Sequence, residues 1–137
     1  MRPAWILVFS LWPALAQAGP ADYRFEAVAP TVERGVGVPL QVKVSSRLTG
    51  LPVPGVEVRE ARVDRSPDGQ RGGSLPAFFI PSLAYGVYSF RADLPVDGNW
   101  ALTFNARVPG EVQPIDAAVV FAVAGRLAAP AQPTSRP

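Results

Sequence analysis

Residues 88–108 read YSFRADLPVDGNWALTFNARV, and this stretch decides the fold. Tyr88, Phe90, Ala92 and Leu94 alternate with Ser89, Arg91 and Asp93. Beyond Pro95–Asn99, Trp100, Leu102, Phe104, Ala106 and Val108 alternate with Ala101, Thr103, Asn105 and Arg107. A period of two sends one row of side chains to a core and the other to water, which is the pattern of a half-buried β-strand. Asp97-Gly98 between the two runs supplies the positive φ that a tight turn wants, so the stretch reads as two long strands joined by a short reversal.

The same pattern recurs outward from there. Tyr23, Phe25 and Ala27 alternate with Arg24 and Glu26, and Leu40, Val42 and Val44 with Gln41, Lys43 and Ser45. Val56 and Val58 alternate with Glu57 and Arg59, and Val119, Phe121 and Val123 lie in a last run over 117–124. Sixteen prolines and twelve glycines punctuate the chain. Pro52-Val53-Pro54-Gly55 and Pro109-Gly110-Glu111 fall between runs, where proline removes no ladder hydrogen bond. No segment holds a capped helical period. The expected fold is all-β, an immunoglobulin-like antiparallel β-sandwich of about seven strands. Trp100 is expected between the sheets with Tyr88, Phe90 and Phe104.

The amino terminus fixes an expected compartment. Arg2 precedes an apolar run, Trp5–Leu15, and Ala16-Gln17-Ala18 is an A-x-A cleavage triplet. The run is shorter than a membrane span and Pro13 interrupts it. Residues 1–18 are therefore read as a signal peptide and residues 19–124 as the folded domain, exported to the periplasm or beyond as a soluble protein. The Ala/Pro-rich residues 125–137 are read as a disordered tail. Cleavage leaves about 120 residues, enough for one domain with one core.

Composition excludes several chemistries. The chain has no histidine and no cysteine, and its single methionine is Met1, which leaves with the leader. Imidazole, thiolate and thioether are the usual ligands of copper and zinc, so no tight site for either metal, and no cofactor, is expected. The arginines are dispersed among acids and the net charge is only +2, which argues against nucleic acid. Glu60, Asp64 and Asp68 lack the regular oxygen-ligand spacing of a calcium loop. Ser74 or Ser82 with Lys43 would make a Ser–Lys pair, but no nucleophile elbow surrounds either serine.

Four landmarks carry a family resemblance. They are Pro52-Val53-Pro54-Gly55-Val56-Glu57-Val58, Ser66-Pro67-Asp68-Gly69, Tyr85-Gly86-Val87-Tyr88-Ser89-Phe90 and Asp97-Gly98-Asn99-Trp100-Ala101-Leu102. Over residues 22–124 the chain resembles the YtkA-like/FixH family of small periplasmic β-sandwich domains. The resemblance implies an association with heavy-metal efflux, notably of copper, or with cytochrome oxidase assembly. In many members the loop after Ser-Pro-Asp-Gly carries methionines suited to Cu(I). Here that loop runs Gln70-Arg71-Gly72-Gly73-Ser74 and offers no thioether, so copper binding does not carry over.

One segment breaks the alternation. Residues 75–85, LPAFFIPSLAY, are apolar on consecutive positions, so Phe78 and Phe79 cannot both face a core if the run is extended. Phe79 and Tyr85 are expected to be exposed and to bind a partner, either another envelope protein or a second copy, with Phe78 and Ile80 packed inward. The expected function is a non-catalytic exported binding or accessory module. The alternative is a small carboxylate-dependent periplasmic hydrolase using pairs among Asp64, Asp68, Asp93, Asp97 and Glu111.

Overall fold

A computed structural model describes residues 22–70 and 73–125. The leader, two residues of the 70–74 loop and the carboxyl-terminal tail lie outside the described residues. The elements are β1 (Tyr23–Ala27), β2 (Thr31–Glu33), β3 (Gly35–Ser46), β4 (Glu57–Asp64), a 3-10 turn at Ser66–Asp68, β5 (Leu75–Ile80), β6 (Val87–Leu94), β7 (Gly98–Arg107) and β8 (Ile115–Ala124). No helix among the described residues is long and apolar enough to cross a membrane.

The chain is all-β, and its strands hydrogen-bond in one continuous order, β1-β3-β6-β5-β4-β7-β8-β2. The sheet is mixed, because β2 runs parallel to β8 through Thr31–Glu33 while every other pair is antiparallel. The count among the described residues is eight rather than about seven. β2 and β5 are the strands that alternation did not mark.

The sheet curls so that its two halves face one another. Phe90 of β6 and Phe104 of β7 meet across the interior with ring centroids 5.1 Å apart, and Phe25 of β1 meets Phe104 edge-on at 5.9 Å. The core lies between the halves. Leu40, Val42 and Val44 of β3 share it with Tyr88, Phe90 and Leu94 of β6, Leu102 and Phe104 of β7, and Phe121 of β8. Trp100 is 3% exposed in the same core, and its indole Nε1 donates to the Val96 carbonyl at 3.0 Å. The period of two thus became full burial in β3, β6, β7 and β8 and partial burial in β1 and at Val58.

The structure corrects the opening stretch. β6 and β7 do not pair with each other: β6 lies between β3 and β5, and β7 between β4 and β8. Pro95–Asp97 is a crossover from one half of the sheet to the other. Gly98 does have a positive φ, +133°, but this conformation serves another purpose. A Cβ at Gly98 would collide with the Asp68 carboxylate, which accepts the Asn99 amide at 2.8 Å and the Asn99 side-chain nitrogen at 3.0 Å. The glycine makes room for the 3-10 turn that closes over β7.

The two halves join at β4 and β5 through Arg62↔Pro76 and Val63↔Leu75 alone. Between Arg59 and Arg62 the β4 ladder slips, and Glu60 takes φ +53°. A bulge of this kind bends its strand. Below it β4 and β5 diverge, so neither has a strand partner across the gap.

Candidate partner-binding surface

The antiparallel order brings three loops to one end of the domain: residues 47–56, 81–86 and 108–114. Two close approaches fix them together. A Cβ on Gly86 would sit 2.5 Å from the Pro52 Cβ, and one on Gly55 would sit 3.3 Å from the Pro109 ring. The Tyr88 hydroxyl braces the same end, accepting the Val56 amide at 3.0 Å and donating to the Val53 carbonyl at 2.8 Å. Burial pushes the Tyr88 phenol up, against the lowering effect of the Val56 amide. Tyr23 donates its hydroxyl to Glu111 at 2.5 Å, tying β1 to the third loop. Its phenol is pushed up to about 12, first by burial and then by the Glu111 carboxylate.

The segment expected to bind a partner lies along this end. Tyr85 is 68% exposed and Phe79 is 42% exposed. The facing of β5 is nevertheless the reverse of the sequence expectation. Ala77 is buried and Leu75 packs on the core, so Phe79 is on the inner row. Its ring lies 5.8 Å from Phe90 and 6.3 Å from Tyr88. It stays partly exposed because β4 has bent away from β5 and nothing covers the gap. Phe78 is the outward residue, 64% exposed, and Ile80 is half-buried rather than inward. Phe79, Pro81, Leu83, Tyr85 and Tyr88, with Pro54, line a cleft of about 280 Å³, and Leu83 is fully exposed at its lip.

The structure does not bring the candidate catalytic groups together. Asp64 accepts the Ser66 amide at 2.9 Å, and Asp93 accepts the Gly37 amide at 2.8 Å. Asp97 pairs with Arg34 at 3.3 Å, and Glu111 is held by Tyr23. The Asn99 backbone and side-chain donors hold the Asp68 carboxyl below its usual range. Lys43, Ser74 and Ser82 line three different clefts, and Ser82 Oγ accepts the Ala84 amide at 3.2 Å. No group of three or more acidic residues close enough to hold a metal ion occurs among the described residues.

Two features escaped the sequence reading. Glu60, with its left-handed backbone, lines a cleft of about 760 Å³ beside Arg62, Asn105 and Asp116. A bulge leaves no composition signal, although the loss of alternation across Arg59-Glu60-Ala61-Arg62 was readable. Leu48 and Leu51 are large, exposed and close together in the first loop. Their signal was a pair of leucines in a turn-rich stretch where nothing alternates.

No protein-family model matches the chain, and no curated protein matches it. Among solved structures it is similar to the ZirS C-terminal domain, with a TM-score of 0.43 and 11% identity, covering 77% of this chain and 68% of that one. It is also similar to the Lin-41 filamin domain, with a TM-score of 0.42 and 18% identity, covering 75% of this chain and 92% of that one. A DUF4785 family protein from Legionella pneumophila matches with a TM-score of 0.43 and 18% identity. That match covers 74% of this chain but 28% of the other, so the chain spans little more than a quarter of that protein's length.

Proposed function

We propose that the chain is a non-catalytic exported binding module of the YtkA-like/FixH type, built on an immunoglobulin-like sandwich. It serves a heavy-metal efflux or oxidase-assembly system of the cell envelope by holding a protein partner rather than a metal. The observation that carries this reading is the run of exposed apolar side chains on β5 and the loop after it, Phe78, Phe79, Leu83 and Tyr85. Aromatic anchors beside a shallow cleft suit protein docking. The absence of imidazole, thiolate and thioether from residues 19–137 supports a role without bound copper or zinc. The hydrolase alternative draws no support from five carboxylates that are each engaged in tying loops or strands.

The test is a pair of substitutions, Phe78→Ser and Tyr85→Ser, read by pull-down from envelope extract, by sedimentation velocity and by thermal melting. Association is lost while stability changes by less than about 1 kcal/mol, as at exposed sites away from the core. Loss of self-association alone makes the partner a second copy. Unchanged association in both assays sinks the docking assignment.

A further inference from the structure

Beneath the aromatic segment, the first loop presents a different surface. Leu48 is 84% exposed and Leu51 is 64% exposed, on a turn of six residues. The amides of that turn are all used internally. Arg47 N–H donates to the Asp22 carbonyl at 2.9 Å, and the Leu48 and Thr49 amides donate to Ser46 Oγ at 3.3 and 3.4 Å. The Gly50 amide donates to the Ser46 carbonyl at 2.8 Å, the Leu51 amide to Thr49 Oγ1 at 3.2 Å, and the Ser46 amide to the Leu51 carbonyl at 2.9 Å. An ordinary exposed turn satisfies several of these groups with water. This one orphans no N–H when water is withdrawn, which lowers the cost of seating it among lipid headgroups, where water still reaches its carbonyls.

Charge lies directly beside it. Arg24, Lys43 and Arg47 line a cleft of about 440 Å³ together with Ser45, Ser46 and Gly50 of the turn itself. Among the described residues, the only carboxylate lining this cleft is Glu26, which Arg24 engages at 3.1 Å. The cleft therefore keeps a positive excess next to two projecting leucines.

We propose that the 46–51 turn is a membrane foot: Leu48 and Leu51 insert into the headgroup region of an anionic bilayer while Lys43 and Arg47 contact lipid phosphates. The proposal is independent of the protein-docking reading and uses none of its residues. A lipid surface fits better than a second protein surface for two reasons. Leucine is under-represented among the anchors of protein interfaces, and exposed aliphatic side chains need no preformed pocket to enter a medium that yields. Basic residues next to the inserted groups add attraction to anionic lipid headgroups.

The test is vesicle co-sedimentation of residues 19–137, which contain every described residue and exclude the apolar leader. Vesicles are phosphatidylcholine alone or mixed with phosphatidylglycerol. Binding is expected to the mixed vesicles and to fall steeply with added salt. Leu48→Ser with Leu51→Ser lowers the partition coefficient at least about tenfold, the scale for returning two partly buried leucines to water. Lys43→Gln with Arg47→Gln reduces binding toward the level on neutral vesicles. Phe78→Ser leaves it unchanged, so failure here and failure of the docking reading remain distinguishable. Circular dichroism confirms that each variant is folded. The proposal is overturned if the unsubstituted chain ignores the mixed vesicles. It is equally overturned if binding persists in the leucine variant, or if that variant loses only a protein partner.

Discussion

Gly86 and Gly50 share one backbone conformation, φ +73°, yet differ in what surrounds them. An alanine Cβ at Gly50 meets nothing within 4 Å. At Gly86 it would lie 2.5 Å from the Pro52 Cβ, 3.3 Å from the Pro52 Cα and 3.4 Å from the Val44 carbonyl oxygen. Pro52 is a stiff ring in a bridged position opposite Ser45, so it cannot swing aside. Gly50→Ala therefore carries only the left-handed penalty, about 1–2 kcal/mol. Gly86→Ala carries the same penalty plus an overpacking cost of about 1–3 kcal/mol, for a total of about 2–5 kcal/mol. Urea unfolding of both variants, with m-values checked for constancy, reads the difference directly. Pairing Gly86→Ala with Pro52→Gly supplies the control: the contact is removed, and the double variant recovers the overpacking part while keeping the backbone part. Equal losses for Gly86→Ala and Gly50→Ala would refute the reasoning, because the two loops would then not be in the contact that builds this end of the domain.

Three further outcomes are expected. Trp100→Ala costs about 3–5 kcal/mol in denaturant melts, the range for truncating a buried aromatic, and a cost under about 1 kcal/mol would remove Trp100 from the core. The Tyr23 phenol is raised to about 12 in the folded chain, so the unfolded chain ionises first as pH rises past about 10. Its contribution is therefore fully present below pH 10 and lost between there and about 12, and Tyr23→Phe removes that part of the alkaline transition in a pH-dependent melt. The Asp68 carboxyl is lowered, so its contribution is present above its ordinary range and lost as pH falls through the folded value. Asp68→Ala narrows its stability gap to the parent protein as the medium turns strongly acidic, and a gap that widens there contradicts the Asn99 contact.

The alternation in the sequence located β1, β3, β6, β7 and β8 because in each the inner row is more buried than the outer. The inner row is fully buried in β3, β6 and β8 and half-buried in β1, and in β7 Ala101 of the outer row is also covered. It could not reveal which strands pair. Asp97-Gly98 has the local chemistry of a hairpin turn, but strand partners are chosen by core packing, and Gly98 spends its positive φ on the Asp68 contact. β5 was hidden for a related reason. The divergence of β4 leaves Phe79 half-uncovered and Phe78 outside, so consecutive apolar residues occur without the period that marks a strand. β2 is three residues long, too short to show any period. The broken alternation made an exposed aromatic segment legible, and Tyr85 is exposed. It nevertheless gave the wrong facing for Phe78 and Phe79, because the divergence of β4 that uncovers inner-row Phe79 is not a local signal. The neighbours that give this end its form, Pro52, Pro54 and Pro109, are distant in sequence and become adjacent only through the topology.

The crossover at Pro95–Asp97 has a kinetic consequence. Had β6 and β7 formed a hairpin, these two neighbouring alternating runs would have zipped together locally within microseconds. Instead each must find a partner some fifty residues back along the chain, β6 on β3 and β7 on β4. The local pairs, β5 with β6 and β7 with β8, can assemble early, but they belong to opposite halves and bury little until those distant strands dock. Search over long loops comes before the stabilising contacts, which is the regime of high contact order and folding on the millisecond-to-second scale. A newly made chain of this design passes through a stage in which Phe90 and Phe104 are both uncovered, and during that stage it is most exposed to aggregation and proteolysis.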